Sequence, residues 1–147
     1  PVKRGGWILW LYSNSLSIIL IYFRVVTQTI AITKSIVVVD DEPDVVELFR
    51  DAISSYGYGV DAFTDPLVAF AHIKRNPKQY NLLITDFSMR KLNGCKLGIK
   101  VKELNDKIKV LLITAHENIE CEKLNFEILN KPILIQTLID KVNENVK

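Results

Sequence analysis

From Ile36 to the end of the chain, short apolar runs alternate with stretches whose apolar residues recur every three or four positions. The run Ile36–Val39 (IVVV) predicts a buried strand, because an unbroken β-branched block fits a sheet covered on both faces. Pro43 follows at a favoured first helical position, and Val45, Val46, Phe49 and Ile53 then share one helical face. Gly57 and Gly59 flank a turn into a second strand near Val60–Phe63. Asp65-Pro66 combines an N-cap with a proline in the first turn and opens a helix with Leu67, Phe70, Ala71 and Ile73 on one side, ended by Asn76-Pro77. Leu82–Thr85 (LLIT) reads as the third strand, with Asp86 directly after it. Asn93-Gly94 turns into a helix through Leu97, Val101 and Leu104, and Lys109–Thr114 (KVLLIT) is the fourth strand. A short helix around Asn118–Leu124 precedes a fifth strand, Phe126–Leu129, and Lys131-Pro132 leads into a final helix (ILIQTLIDKV) that runs almost to the C-terminus. Five short strands separated by helices predict an α/β fold built on a parallel sheet.

The pattern stops at Thr33. Upstream of it, Trp7 to Phe23 forms a mostly apolar stretch of 17 residues, interrupted by Ser13-Asn14-Ser15. A spanning helix needs about 20 such residues. Lys3 and Arg4 ahead of it resemble a signal peptide or signal anchor, yet no small-residue cleavage pattern follows. Three readings stay open for residues 1–32: a membrane anchor through residues 7–23, an artefactual upstream extension, or an appendage that packs on the domain formed by residues 33–147.

Composition narrows the class. The chain has 147 residues, room for one ordinary domain, and 48% hydrophobic with 24% charged residues is a globular balance. The net charge of +2 is uneven: residues 1–35 hold four basic and no acidic residues, leaving 15 basic against 17 acidic in the remainder. A near-neutral body offers no electrostatic basis for nucleic-acid binding. Cys95 and Cys121 lie far apart and form no C-x-x-C pair, which predicts two reduced thiols in a cytosolic protein. His72 and His116 have no partners at zinc-ligand spacing, so no transition-metal site is expected.

The chemistry gathers at strand ends. Asp40 and Asp41 close the first strand, Asp86 the third and Thr114 the fourth, while Lys131 lies just past the fifth. In parallel α/β sheets, ligands collect outside the carboxyl ends of the strands. Adjacent carboxylates there repel one another and need compensation. A hard cation supplies it, and Mg²⁺ suits one or two carboxylates completed by waters and phosphate oxygens. Lys131 adds a compact charge for a phosphoryl oxygen. With no base-activated Ser or Cys, the set points to phosphoryl transfer onto a carboxylate. Glu42 reads instead as a cap on the helix that follows, where an acid favours the dipole.

VDDEP at 39–43, ITD at 84–86 with Asn93-Gly94 after it, ITA at 113–115 and NKP at 130–132 together resemble the CheY-like receiver domains of two-component response regulators. The resemblance covers about residues 34–146. It implies a flavodoxin-like, doubly wound five-stranded parallel sheet of order 2-1-3-4-5, here with a truncated fourth helix and an apolar N-terminal extension. It also implies Asp86 as phosphoacceptor, served by a histidine kinase, a phosphotransfer protein or a small phosphodonor. Asp41 and Asp86 would bind Mg²⁺ directly, the Ser88 backbone carbonyl would add a ligand, and Asp40 would act largely through water. Thr114 would hydrogen-bond the phosphoryl group and Lys131 would pair with it. Ser88 and His116 stand at variable positions that tune phosphoryl lifetime, and the Lys131–Pro132 bond is often cis.

Three positions depart from the family pattern. Arg90 replaces a usual proline, Ile128 stands where an aromatic switch residue is usual, and the interval from Thr114 to Lys131 is short by about one helical turn. The resemblance therefore supports the chemistry more firmly than the output. The expected activity is a cytoplasmic signalling switch acting on a protein target, with a homodimer compatible with the family. DNA binding is not expected, because no helix-turn-helix segment follows. The competing readings are a phosphorylation-independent scaffold or phosphate sink, and a small Mg²⁺-dependent phosphotransferase. The last is disfavoured by Asp40-Asp41-Glu42 in place of D-x-D.

Overall fold

The computed structural model describes residues 18–19, 35–115, 121 and 124–146. The chain divides into two units, Pro1–Thr33 and Lys34–Lys147. In the first unit only Ile18 and Ile19 are described, both helical and exposed. The expectations for residues 7–23 thus fall almost wholly outside the described residues. Among those that are described, no helix is long and apolar enough to cross a membrane.

The second unit is a parallel five-stranded sheet. Its strands are β1 (Ser35–Val39), β2 (Gly59–Phe63), β3 (Tyr80–Asp86), β4 (Lys109–Thr114) and β5 (Glu127–Asn130), in the order β2-β1-β3-β4-β5. The helices are α1 (Pro43–Ser55), α2 (Pro66–Arg75), α3 (Gly94–Leu104) and α4 (Ile135–Asn145). Alternate residues of each central strand serve opposite faces. Ile36, Val38, Leu82, Ile84, Leu111 and Ile113 pack with Phe49 and Ile53 of α1 and Leu138, Ile139 and Val142 of α4. Val37, Val39, Leu83 and Val110 pack on the other face with Ala69 and Ile73 of α2 and Leu97 and Val101 of α3. Burial on both sides is why β1, β3 and β4 read as near-continuous apolar runs. The edge strands β2 and β5 are only partly buried.

Register sets the site. Val39 pairs with Phe63 and Thr85, Asp86 with Ile113, and Thr114 with Asn130, so the strand ends that carry the polar residues lie level along one edge. Local signals act as read: Asp65 accepts from the Leu67 amide and Asn93 from the Lys96 amide, each capping its helix. The Lys131–Pro132 bond is cis.

Several local expectations are corrected. Strand β3 starts earlier, at Tyr80, and includes Asp86. Strand β5 is shifted one residue on, because Asn125 adopts a left-handed φ of 56° and Phe126 remains outside the strand. Helix α4 starts only at Ile135, with Leu134 extended before it. Glu42 occupies the N-cap of α1 but makes no side-chain cap bond; its amide instead donates to Asp40 Oδ1 at 2.9 Å. Of the short helix around Asn118–Leu124, only Cys121 and Leu124 are described, both in 3₁₀ turns.

The cysteines are the larger correction. Cys95 and Cys121 are joined as a disulfide, with their Cα atoms 5.8 Å apart across a sequence separation of 26. The fold brings Cys95 in the first turn of α3 against Cys121, a juxtaposition that spacing in the sequence does not reveal.

Candidate functional site at the carboxyl edge of the sheet

Asp40 follows β1 and is 2% exposed, Asp86 ends β3 at 6% and Thr114 ends β4 at 1%. Burying two carboxylates next to one another is costly unless they are compensated. Lys131, immediately after β5, reaches both: its Nζ lies 2.7 Å from Asp86 Oδ1 and 3.8 Å from Asp40 Oδ2. The second Asp86 oxygen accepts the Ser88 amide at 2.7 Å. The Lys131 amide donates to the Thr114 carbonyl at 2.7 Å, which pins the lysine to the end of β4.

One ammonium does not neutralise this edge. Burial, reinforced by the Asp86 charge, pushes the Asp40 carboxyl up to about 6 in spite of the Glu42 amide and Lys131. Burial also works against the Lys131 charge, but the hydrogen bond to Asp86 and the surrounding carboxylates outweigh it and hold this ammonium above the usual lysine range. Asp40 Oδ2 is buried with no hydrogen-bond partner. An orphaned carboxylate oxygen beside a second carboxylate is what a hydrated cation would satisfy.

Asp41 stands nearer solvent, its side chain 25% exposed, with Arg90 Nε 3.5 Å from its Oδ2. An open cleft of about 340 Å³ adjoins it, bounded by Thr64, Asp65, Arg90 and Lys91. Among the described residues no three His, Cys, Asp or Glu side chains form a ready-made cage for a metal. Mg²⁺ does not require one, since it keeps several waters and takes only one or two carboxylates. The donor set therefore fits that ion.

The close approach of α3 completes the site. A Cβ on Gly94 would fall 2.2 Å from the Asp86 carbonyl oxygen and 2.9 Å from Leu112, so only glycine lets the helix start directly behind Asp86.

The comparisons with known proteins identify the family and the fold. The sequence model of the response regulator receiver domain matches residues 36–143. The chain belongs to the response regulator receiver domain family. The receiver protein CpdR of Brucella abortus is 22% identical over 116 residues, covering 76% of this chain and 95% of CpdR. The sensor protein EvgS of Escherichia coli is 33% identical over 82 residues, 56% of this chain but 7% of EvgS. This chain thus spans nearly all of one relative and a small part of the other. A solved structure of a CheX–CheY complex with BeF₃ and Mg²⁺ from Borrelia burgdorferi superposes with a TM-score of 0.69 at 19% identity, covering 76% of this chain and 87% of that one. The fold is CheY-like, and the receiver is that of a two-component system.

Of the residues singled out from the sequence, Asp40, Asp86 and Lys131 meet at bonding or ion-pair distance, and Ser88 joins them through its amide rather than its carbonyl. Asp41 turns instead to Arg90. His72 lies elsewhere, paired with Asp61 at 3.4 Å. His116 is outside the described residues. The Arg90 contact was not legible: residues 49 positions apart on two loops carry no joint signal.

Proposed function

We propose that this receiver accepts a phosphoryl group on Asp86 with Mg²⁺ as cofactor and thereby switches a protein–protein interaction. The observation that carries the reading is the buried Asp40–Asp86 pair held by the ammonium of Lys131, with Asp40 Oδ2 3.8 Å from that ammonium and without a hydrogen bond. Asp41 and Asp86 would hold the metal, with Asp40 acting through water and the Ser88 carbonyl as a further ligand. When bound, the ion supplies charge neutralisation for the incoming phosphoryl oxygens. An Asp86 carboxylate oxygen attacks the phosphorus of a phosphohistidine or acyl phosphate. The P–N or P–O bond breaks, and the leaving group keeps its electron pair. Lys131, now on Asp86 Oδ1, follows the negative charge onto the phosphoryl group, and Thr114 provides a hydroxyl at the neighbouring strand end. Water later cleaves the acyl phosphate and restores the carboxylate, so the only turnover is the protein's own dephosphorylation.

The donor would be a histidine kinase or phosphotransfer protein in the cytoplasm, and the target a protein that reads the face near β5. The test incubates the full chain with Mg²⁺ and acetyl phosphate and records its intact mass. A single phosphoryl adduct is expected, lost on chelation and in Asp86→Asn. No adduct under conditions that label a working receiver would overturn the proposal and favour a phosphorylation-independent scaffold.

A further inference from the structure

Arg90 departs from the family pattern, reaches the site and has no part in the phosphoryl chemistry proposed above. A proline at this position would bring no charge to Asp41. The guanidinium does, with its Nε 3.5 Å from Asp41 Oδ2. The loop that carries it is fixed on both sides. Before it, the Ser88 amide donates to Asp86 Oδ2 at 2.7 Å, and Met89 is buried in the core beneath α2 and α3. After it, Lys91 pairs with Asp65, the N-cap of α2, and Leu92 packs on the same core. The Gly94 amide then donates to the Phe87 carbonyl at 3.0 Å and closes the loop. Between these anchors the Arg90 side chain stands out into solvent, 92% exposed against 25% for Asp41.

The carboxyl edge thus carries two built-in cations on different acids. Lys131 holds the inner pair, Asp40 and Asp86, and Arg90 lies on the outer acid, Asp41. We propose that Arg90 is a displaceable counter-cation of the metal site: it occupies Asp41 in the metal-free chain and gives that carboxylate up when Mg²⁺ binds, which makes the metal affinity lower than the acids alone would give. This deepens the receiver reading and rests on it, because Asp41 is there a metal ligand.

An exposed ion pair is weak taken alone. Here the anchored loop keeps the guanidinium beside its acid, so the pair re-forms without the cost of bringing distant groups together. A divalent cation arriving at Asp41 has to break that contact and then meets the repulsion of the positive charge next to it. Asp41 cannot serve both, since Mg²⁺ demands near-octahedral oxygen ligands and keeps a shell of waters. The open cleft of about 340 Å³, lined in part by Thr64, Asp65 and Lys91, gives the released side chain room to withdraw. Arg90 therefore acts on the chemistry through Asp41, as a positioning residue.

Metal binding, rather than phosphorylation, is the readout. The full chain, stripped with chelator and kept at low ionic strength, is titrated with Mn²⁺, which shares the oxygen-ligand preference of Mg²⁺. Free Mn²⁺ is read by electron paramagnetic resonance, and Mg²⁺ is then added as competitor. Arg90→Gln, which keeps a polar side chain without its charge, should tighten both ions by about 3- to 10-fold. Arg90→Lys, which keeps the charge, should stay close to the unaltered chain. Lys91→Gln removes a neighbouring charge that Asp65 holds, and should change the affinity far less. The gain in Arg90→Gln should shrink in high salt, since the contact is open to solvent. A purely structural arginine would show neither the recovery with lysine nor the loss of the effect in salt. No gain in Arg90→Gln, the same gain in Arg90→Lys, or an equal gain in Lys91→Gln would each overturn the proposal, the last by assigning the effect to overall charge. Acetyl phosphate labelling of the same proteins separates the two readings. If the variants bind metal in the expected order but Asp86 takes no phosphoryl group, the phosphoacceptor falls and the counter-cation stands. If Asp86 is labelled and the variants bind metal alike, only the counter-cation falls. Absence of metal binding in every variant removes both.

Discussion

Asp40 has the least favourable surroundings of any carboxylate in the site, and that makes its energetics measurable. In the metal-free protein its folded value of about 6 lies above the ordinary 3.8. The folded state therefore prefers the proton, and this contribution to stability is greatest below pH 3.8, declines as pH rises toward 6 and is gone above it. Asp40→Asn keeps an oxygen to accept the Glu42 amide and removes the charge. It is expected to stabilise the metal-free chain by on the order of 2 kcal/mol at pH 8 and by almost nothing near pH 3. Urea unfolding in chelator at the two pH values checks this; equal stability of the two proteins at pH 8 would contradict it. Gly94→Ala tests the close approach behind Asp86, where the added methyl carbon would meet the carbonyl oxygen at 2.2 Å. The backbone must shift, at a cost of about 1–3 kcal/mol, and phosphorylation should slow because the Asp86 loop moves. The glycine was visible in the sequence as part of a turn. Its closer role, to admit the start of α3 behind Asp86, needed the packing.

At the scale of elements, strand ends and helix starts do most of the positioning. Helix α3 begins with Asn93, whose side chain accepts from the Lys96 amide at 2.9 Å. Asn93→Ala should cost about 1 kcal/mol and Asn93→Ser much less; denaturant midpoints distinguish the two. Strands β1, β3 and β4 were legible because double-sided burial writes an apolar block into the sequence. The limits of β3, β5 and α4 were less so. Tyr80 joins β3 because its ring is buried, at 3% exposure, against the sheet. The start of β5 is decided by the left-handed turn at Asn125, and neither effect has a periodic signature.

Over the whole molecule, the disulfide and the domain boundary are the features to test. Closing a loop across 26 residues restricts the unfolded chain by about 3.5 kcal/mol in the chain-entropy account. Reduction should then lower Tm by roughly 10 °C, read by calorimetry with and without reductant. A chain beginning at Lys34 is expected to unfold in one transition and to take up phosphate at an unchanged rate, since the site and both main cores belong to residues 34–147. Loss of labelling in that chain would assign the first 33 residues a part in the site. The alternation of strand and helix and the placing of Asp40, Asp41, Asp86, Thr114 and Lys131 at strand ends are legible in the chain alone, because both follow from local periodicity and from where each apolar run stops. Packing settles the rest: Lys131 takes Asp86 Oδ1, Asp40 Oδ2 stays without a hydrogen bond, Arg90 lies against Asp41 and Cys95 bonds Cys121. Those contacts depend on strand order and on how loops close across 26 to 49 positions, and short-range pattern carries no record of either.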